Sequence, residues 1–185
     1  MYGMMFDFLR EYVIKTHGGV ATWRALLKAS SQSEYKIYFP ISEYPDEEIV
    51  TLATTAATAL DLPLAAVLED FGSFVGPRLM EFYRPYVEGH DQDVFTVVQY
   101  AGGHIHDQIH KHNPDRKPPL LSGEISESDP RKMIVHYQSK RKMCSVVRGV
   151  LRGLGSKFGE RLHIEETQCM HTGADKCTIN VIKLD

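Results

Sequence analysis

The sequence predicts an α+β fold in which a helical N-terminal half packs on a C-terminal antiparallel sheet that carries helices of its own. Apolar residues recur every three or four positions through most of the first half, which is the spacing of helices with one buried face. Later segments alternate apolar and polar residues, as half-buried strands require. With 185 residues, 43% of them hydrophobic, the chain can bury a substantial core. We expect one domain over 1–185, with a helical subdomain at about 1–62 and a sheet subdomain at about 63–185.

Composition and charge exclude several classes of protein. Lys and Arg number 21 against 24 Asp and Glu, a net charge of −3, so no basic field is available to hold a nucleic-acid backbone. No apolar run approaches the roughly 18 residues that cross a bilayer, and the N-terminus lacks the basic segment of a signal peptide. We therefore expect no nucleic-acid partner, no transmembrane segment and a cytoplasmic location, where three cysteines serve as thiols or metal ligands.

The helices of the first half are predicted from their apolar spacing and from the residues that begin or end them. Gly18 and Gly19 interrupt the first pattern, so we expect two helices there. Acidic residues from Asp46 begin the next helix, with their charge at its positive end, and Pro63 separates it from the one that follows. The patterns cover residues 6–27, the helices on either side of Pro63, and residues 92–112, with a loop or short extended piece at 35–45.

A sheet is predicted after Pro118 and Pro119, where the apolar period changes from 3.6 to two. Residues 133–137 alternate as a strand, and residues 143–158 return to helical spacing. Arg161–Gln168 and Cys177–Leu184 then alternate like two strands joined by a loop.

Four histidines lie close together in the predicted helix 92–112. They are His104, His106, His110 and His112. Neutral imidazole is the commonest protein metal ligand, but only His106 and His110 are one helical turn apart, so a single ligand is the better interpretation. Gly102 and Gly103, one turn before His106, predict open space for a broad flat ligand. A solvated helix face with incidental glycines remains the alternative.

Three polar side chains follow one another at every second position after the predicted strand 133–137. On an extended chain, Tyr137, Ser139 and Arg141 would share one face and present a phenol, a hydroxyl and a guanidinium together. Because Arg forms paired, charge-assisted hydrogen bonds with carboxylates, this pattern indicates a carboxylate clamp. The alternative is an ordinary strand end whose basic residues face solvent.

The third candidate site combines all three cysteines with one histidine. Cys169, His171 and Cys177 surround the loop between the last two predicted strands, so their side chains can converge. Adding Cys144, in the first turn of the helix 143–158, would complete the Cys₃His tetrahedron of a structural zinc site. The spacing is not that of a standard zinc finger, so unrelated thiols remain the alternative.

These motifs together resemble the heme nitric oxide/oxygen binding family, H-NOX, over essentially the whole chain, in the form of a bacterial stand-alone NO sensor. The Tyr137-x-Ser139-x-Arg141 element is the most specific of them. The others, in chain order, are Met1-Tyr2-Gly3, Phe71-Gly72-Ser73-Phe74, Ile105-His106 eight residues before Pro114, and Pro119. The resemblance implies an H-NOX-like α+β fold whose second subdomain contains both heme and sheet, and a ligand-binding sensor instead of an enzyme.

The resemblance also implies site residues and a cofactor. Ferrous heme b would be held through its iron by His106 and through its propionates by Tyr137, Ser139 and Arg141. Pro119 would press on the heme and keep it bent. The remaining residues of the implied heme pocket are Met5, Phe74, Val146 and Val150. The cysteines with His171 are similar to the zinc site of some bacterial members, which implies Zn²⁺ as a second cofactor.

The resemblance also implies which gases bind to the heme and which kind of protein receives the signal. O₂-binding members carry a distal tyrosine five residues after the motif arginine, where this sequence has Val146, so we expect NO and CO to bind and O₂ to be excluded. Binding of NO would weaken the bond between iron and His106 and move the helix that carries it. The partner would be a separate histidine kinase or cyclic-di-nucleotide enzyme.

Two other functions compete with this interpretation. The C-x-H-x-G-x-D-x-C pattern at 169–177 is also similar to zinc-bearing ligand-binding modules of the vinyl-reductase-like type, which hold no heme. A metal-dependent hydrolase using His104, His106 and Asp107 is a second alternative, and it needs a divalent metal and a water nucleophile.

Overall fold

A computed structural model describes residues 1–89, 92–106, 111 and 118–184. They form two compact units, Met1–Phe71 and Gly72–Asp185, and the division lies inside the fourth helix. The helices are α1 Gly3–Thr16, α2 Val20–Ala29, α3 Asp46–Leu60, α4 Leu64–Phe82, α5 Arg84–Val87, α6 Val94–Tyr100 and α7 Cys144–Phe158. The strands are β1 Leu120–Ser126, β2 Asp129–Gln138, β3 Arg161–Gln168 and β4 Cys177–Leu184. The predicted α+β class is confirmed.

The first unit follows from the sequence signals at its helix ends. Gly18 and Gly19 adopt positive φ angles of 101° and 88°, which breaks the chain between α1 and α2 as predicted. The acidic first turn of α3 lies beside the N-terminus, and the Met1 amino group donates a hydrogen bond to Asp46 over 2.7 Å. The α3 helix ends at Asp61, which takes a left-handed conformation with φ 52°. Phe6 is fully buried and stacks on Tyr38 at a ring separation of 4.2 Å.

The second unit is built on a four-stranded antiparallel sheet in the order β1-β2-β4-β3. Every second residue of a strand points to the same face of the sheet. On the inner face these residues are apolar, as with Val135 opposite Ile179. Leu151 and Leu154 of α7 are buried with them in one core. The strands β3 and β4 have the predicted bounds, and α7 begins one residue after the predicted start.

The predicted helix 92–112 is interrupted. Asp93 caps α6 by accepting a hydrogen bond from the Thr96 amide over 2.8 Å. After Tyr100 the chain widens into a π-helical turn, Ala101–Ile105, and returns to α geometry at His106. Turns of this kind occur often at functional sites. His110, His112 and Pro114 lie outside the described residues.

Helix length and hydropathy bear on the expectation about membranes. Among the described residues no single helix is both long and apolar enough to cross a bilayer, although α3 and α4, a sharply bent pair, meet the criteria together.

Candidate functional site

The π-helical turn brings His106 to strand β1. Gly102 lies against that strand so closely that a Cβ atom there would be 2.3 Å from the Leu121 carbonyl oxygen. Only glycine permits this approach, whereas a Cβ at Gly103 would meet nothing within 4 Å. The two glycines thus differ: a side chain at Gly102 would collide with β1, while Gly103 leaves open space. Close packing of Gly102 against β1 fixes the π-helical turn that leads into His106.

An open cleft of about 340 Å³ lies between Gly102 and His106 on one side and the strands β1 and β2 on the other. The half-buried His106 lines it, together with Pro119 and Tyr137. His136 and Lys176 add two basic side chains to its wall. The structure thus brings three predicted site residues, from separate segments, to one cleft. Sequence reasoning missed the two basic ones, since nothing in their local pattern separates them from surface residues.

The clamp residues converge, but not on one extended face. Tyr137 is the penultimate residue of β2 and is only 3% exposed, with its hydroxyl accepting a hydrogen bond from the Met143 amide over 3.1 Å. Ser139 and Arg141 follow in a turn that ends at Lys142, where φ is 50°. The Arg141 amide donates to the Ser139 hydroxyl over 3.3 Å. The predicted extended geometry is therefore wrong beyond Gln138, because the chain turns there to begin α7.

The other two clamp residues influence the ionisation of the Tyr137 phenol. Burial raises the pKa of Tyr137, while the Ser139 hydroxyl, the Met143 amide and the positive charge of Arg141 act to lower it. The Ser139 hydroxyl and the Arg141 charge thus both act on the Tyr137 phenol. These three side chains can donate several hydrogen bonds to a carboxylate, one of them charge-assisted.

The predicted apolar pocket residues lie on three helices. Phe74 is on α4, and Val146 and Val150 are on α7. These two helices touch within the second unit, since a Cβ at Gly72 would be 2.3 Å from the Val146 carbonyl oxygen. Met5 is half-buried on α1 of the first unit. His104 is exposed, and its ring stacks on that of Tyr100 with the ring centroids 4.9 Å apart. We therefore assign His104 no role as a ligand.

A second site brings all three cysteines together with an acid. The possible ligand atoms of Cys144, Glu166, Cys169 and Cys177 all lie within 4.8 Å of one another. Cys144 begins α7, Cys177 begins β4 and Cys169 follows β3. The fourth member differs from the predicted one, because the Nε2 atom of His171 lies 2.7 Å from the Lys142 carbonyl oxygen instead.

Glu166 was not among the predicted site residues, although β3 contained a signal for it. Residues Leu162, Ile164 and Glu166 alternate on one face of the strand, and that face points into the protein. An acid in an inward position needs a partner, because burying an unpaired charge is costly. The side chain of Glu166 therefore lies on the same face of the sheet as that of Cys177 in the neighbouring strand β4.

Two thiols of this cluster, those of Cys144 and Cys177, are hard to ionise as they stand. Burial raises the pKa of Cys144 far above its usual range, and the nearby Glu166 carboxylate raises it further. Burial likewise raises the pKa of Cys177 to about 11, against a hydrogen bond from the Met170 amide that lowers it. All three cysteines are thiols without disulfides. A divalent cation would reverse this preference, since a coordinating thiol loses its proton.

Comparison with known proteins shows the family. The family model described as Haem-NO-binding (HNOB) matches residues 2–166. An H-NOX protein from S. oneidensis, solved in its Fe(II)NO ligation state, has a TM-score of 0.89 and 25% identity, with 100% of each chain covered. No functionally curated protein sequence matches the chain.

More distant structures share the fold. A mutant H-NOX protein from T. tengcongensis has a TM-score of 0.85 at 17% identity, covering 100% of this chain and 98% of its own. An unliganded Fe(II) mutant from K. algicida has a TM-score of 0.80 at 19% identity, covering 100% and 97%. The family match removes the alternative of a metal-dependent hydrolase. Asp107, one of the residues proposed for that hydrolase, lies outside the described residues. The chain belongs to the heme-NO-binding, or H-NOX, family, whose members are heme-binding gas-sensor domains and not enzymes.

Proposed function

We propose that this protein senses nitric oxide at a ferrous heme, excludes O₂ and signals to a separate effector protein. The convergence of His106, Pro119 and Tyr137 on one cleft supports this proposal most directly. Membership of the H-NOX family supplies the ligand class, since the family binds gases such as NO and CO.

The donor set around the cleft suits heme b. His106 offers an imidazole nitrogen to the iron, and Tyr137, Ser139 and Arg141 offer hydrogen-bond donors to the propionates. Bound ferrous heme would supply an iron with a coordination position open to a gas. Pro119, which lines the same cleft as His106, would contact the macrocycle and keep it bent.

Apolar residues support the proposed selectivity for NO. O₂ gains from a polar pocket with a hydrogen-bond donor, whereas NO binds ferrous heme strongly without one. The position of the distal tyrosine in O₂-binding members is Val146 here. Met5, Phe74 and Val150, the other proposed pocket residues, offer no side-chain donor either.

Absorption spectra of the purified, reduced protein test this function. We expect a heme Soret band that is unchanged in air and shifts when NO is added without oxygen. Val146→Tyr, which restores a phenol, should make the band respond to air, and Val146→Phe is the matched control without a hydroxyl. A stable O₂ complex of the unmodified protein would overturn the selectivity, and no Soret band after heme reconstitution would favour the heme-free zinc module.

We also propose that the sulfur cluster holds Zn²⁺. Its ligands would be Cys144, Cys169 and Cys177 with Glu166, which replaces His171 of the sequence prediction. Thiolates and a carboxylate are ordinary zinc ligands, and the 4.8 Å span of their ligand atoms is compact enough for one ion. Zinc there would join the start of α7 to β3 and β4.

Metal analysis of the same preparation tests the zinc proposal. We expect one zinc per chain in addition to heme iron, and we expect Cys144→Ala to lose the zinc and keep the heme. Zinc content unchanged in that variant would overturn the assignment of Cys144.

The effector is proposed as a histidine kinase or a cyclic-di-nucleotide enzyme, and the location as cytoplasmic, consistent with three cysteines that form no disulfide. The test is to add the NO-loaded and the unliganded protein to a purified candidate enzyme and compare its activity. Equal effects of the two forms would contradict signalling to that class.

A further inference from the structure

Arg148 lies behind the sulfur cluster and is nearly buried. Its side chain is 17% exposed, and its Nη1 atom donates a hydrogen bond to Oε2 of Glu166, whose side chain is 14% exposed. Its Nη2 atom donates to the Ser145 hydroxyl over 3.1 Å. Because Cys144 and Arg148 are four residues apart on α7, they lie on the same side of the helix. One helical turn therefore carries both a sulfur of the cluster and the cation that binds its carboxylate.

The two oxygens of Glu166 have different surroundings. Oε2 is engaged by Arg148, while Oε1 is buried and has no hydrogen-bond partner within the described part of the chain. A buried carboxylate oxygen without a donor is costly. The same carboxylate belongs to the group whose ligand atoms lie within 4.8 Å of one another, with the three sulfurs. Oε1 is thus the oxygen left for a cation.

We propose that Arg148 is a positioning residue for the metal site, which orients Glu166 so that Oε1 faces the sulfurs and which offsets the excess negative charge. This rests on the proposed zinc function. Three thiolates and a carboxylate carry four negative charges, of which Zn²⁺ neutralises two, so a further cation nearby would stabilise the loaded site. A guanidinium is suited to the role because its planar fork binds a carboxylate and a hydroxyl at once in a fixed geometry.

The experiment measures zinc affinity by chelator competition, on the full heme-loaded chain. Arg148→Met removes the charge and keeps the length, and it should weaken zinc binding roughly 10- to 100-fold, as loss of a residue behind a metal ligand does. Arg148→Lys retains the charge without the fork and should recover part of that loss. Arg152→Met is the matched control, since Arg152 lies one turn later on α7 and is exposed. It should bind zinc like the unmodified protein.

Cobalt(II) substitution separates positioning from a merely structural ion pair. A purely structural role would lower the thermal stability of the metal-free protein and leave the visible absorption of bound Co²⁺ unchanged. Loss of a correctly placed carboxylate should alter the Co²⁺ spectrum of Arg148→Met and of Glu166→Gln in the same way. Equal zinc affinity and equal Co²⁺ spectra in Arg148→Met and Arg152→Met would overturn the proposal.

Two further results keep the test decisive. If the unmodified protein binds no zinc, the proposed zinc site itself is wrong and Arg148 has no metal to serve. If Arg148→Met does not fold, Ser145→Ala replaces it, because this variant removes the hydroxyl that Arg148 binds and leaves the charge. A several-fold loss of zinc affinity is then expected in Ser145→Ala. If neither Ser145→Ala nor Arg148→Lys lost zinc affinity, the proposed role of Arg148 would be contradicted.

Discussion

The carboxylate clamp and the sulfur cluster are neighbours built in opposite ways. The clamp residues Tyr137, Ser139 and Arg141 lie within five consecutive positions, whereas the cluster draws on the start of α7, the end of β3 and the start of β4. The two sites meet where Tyr137 pairs with Cys177 across the sheet. Tyr137, Cys144 and Cys177 are buried together in one small core. The chemistry of a site built from neighbouring residues can thus be predicted directly from the sequence. Prediction of a site built from distant residues requires knowledge of how the strands pair.

The sharpest separation of the two sites is expected from His106→Gly. Loss of the imidazole removes the proposed iron ligand, so the spectrum of the reduced heme should change and heme content should fall unless imidazole is added. Zinc content should stay the same, because His106 is not among the sulfur-cluster residues. Loss of both metals in this variant would show that the sites are not independent.

The next largest effect is expected at the fourth position of the cluster. Glu166→Ala should weaken zinc binding by at least the roughly 10- to 100-fold that a supporting residue contributes. His171→Ala should leave zinc affinity unchanged, because Nε2 of His171 lies 2.7 Å from a backbone carbonyl oxygen instead of entering the cluster. Chelator competition on the two variants decides between the sequence-based ligand set and the one that the structure favours.

A smaller effect is expected from Arg141→Ala. Removing a charged hydrogen-bond donor costs about 1.5 to 3 kcal/mol, so heme should dissociate roughly 10- to 100-fold faster. Arg131→Ala is the control, because Arg131 lies on β2, the strand that leads into the clamp, but is exposed and pairs with Asp129. The measurement is heme transfer to an excess of an apo-globin acceptor. Equal rates in the two variants would contradict the clamp.

The smallest effect concerns the backbone that supports His106. Gly102→Ala places a methyl group 2.3 Å from the Leu121 carbonyl oxygen and should destabilise the protein by about 1 to 3 kcal/mol. Gly103→Ala meets nothing within 4 Å and should be neutral or stabilise by about 0.4 to 1 kcal/mol, because alanine reduces the freedom of the unfolded chain. Urea unfolding of both variants measures the sign of each change in the free energy of unfolding.

Sequence reasoning predicted the helices of the first unit, α7, β3 and β4, because each has strong periodicity and clear end signals. It gave no signal for β1 as a strand, since this edge strand exposes much of its length and includes Gly123. The π-helical turn could not be predicted either, because the apolar spacing of residues 92–112 is that of a regular helix, whereas the turn lies where Gly102 packs against that same strand. Both omissions concern structure that the local apolar pattern does not reveal.

The two candidate sites show the same limit. The chemistry of Tyr137, Ser139 and Arg141 was evident from residue type, but the turn after Gln138 was not, because it depends on how α7 begins. The three cysteines were identified from their scarcity in the chain. Glu166 was overlooked because an acid in a strand is usually exposed, although the alternation of β3 places it on the inward face. Only the pairing of β3 with β4 shows that this face also carries Cys177.

The π-helical turn Ala101–Ile105 has a consequence for the direction in which His106 points. A π-helical turn contains one residue more than the α-helical turn that it replaces. Each residue of an α-helix rotates the chain by about 100° around the axis. Converting this turn to α geometry, with no residue removed, would therefore rotate His106 by roughly that angle. Deletion of Gly103, in contrast, should regularise the turn and keep the imidazole facing the cleft, which the spectrum of the reduced heme would report.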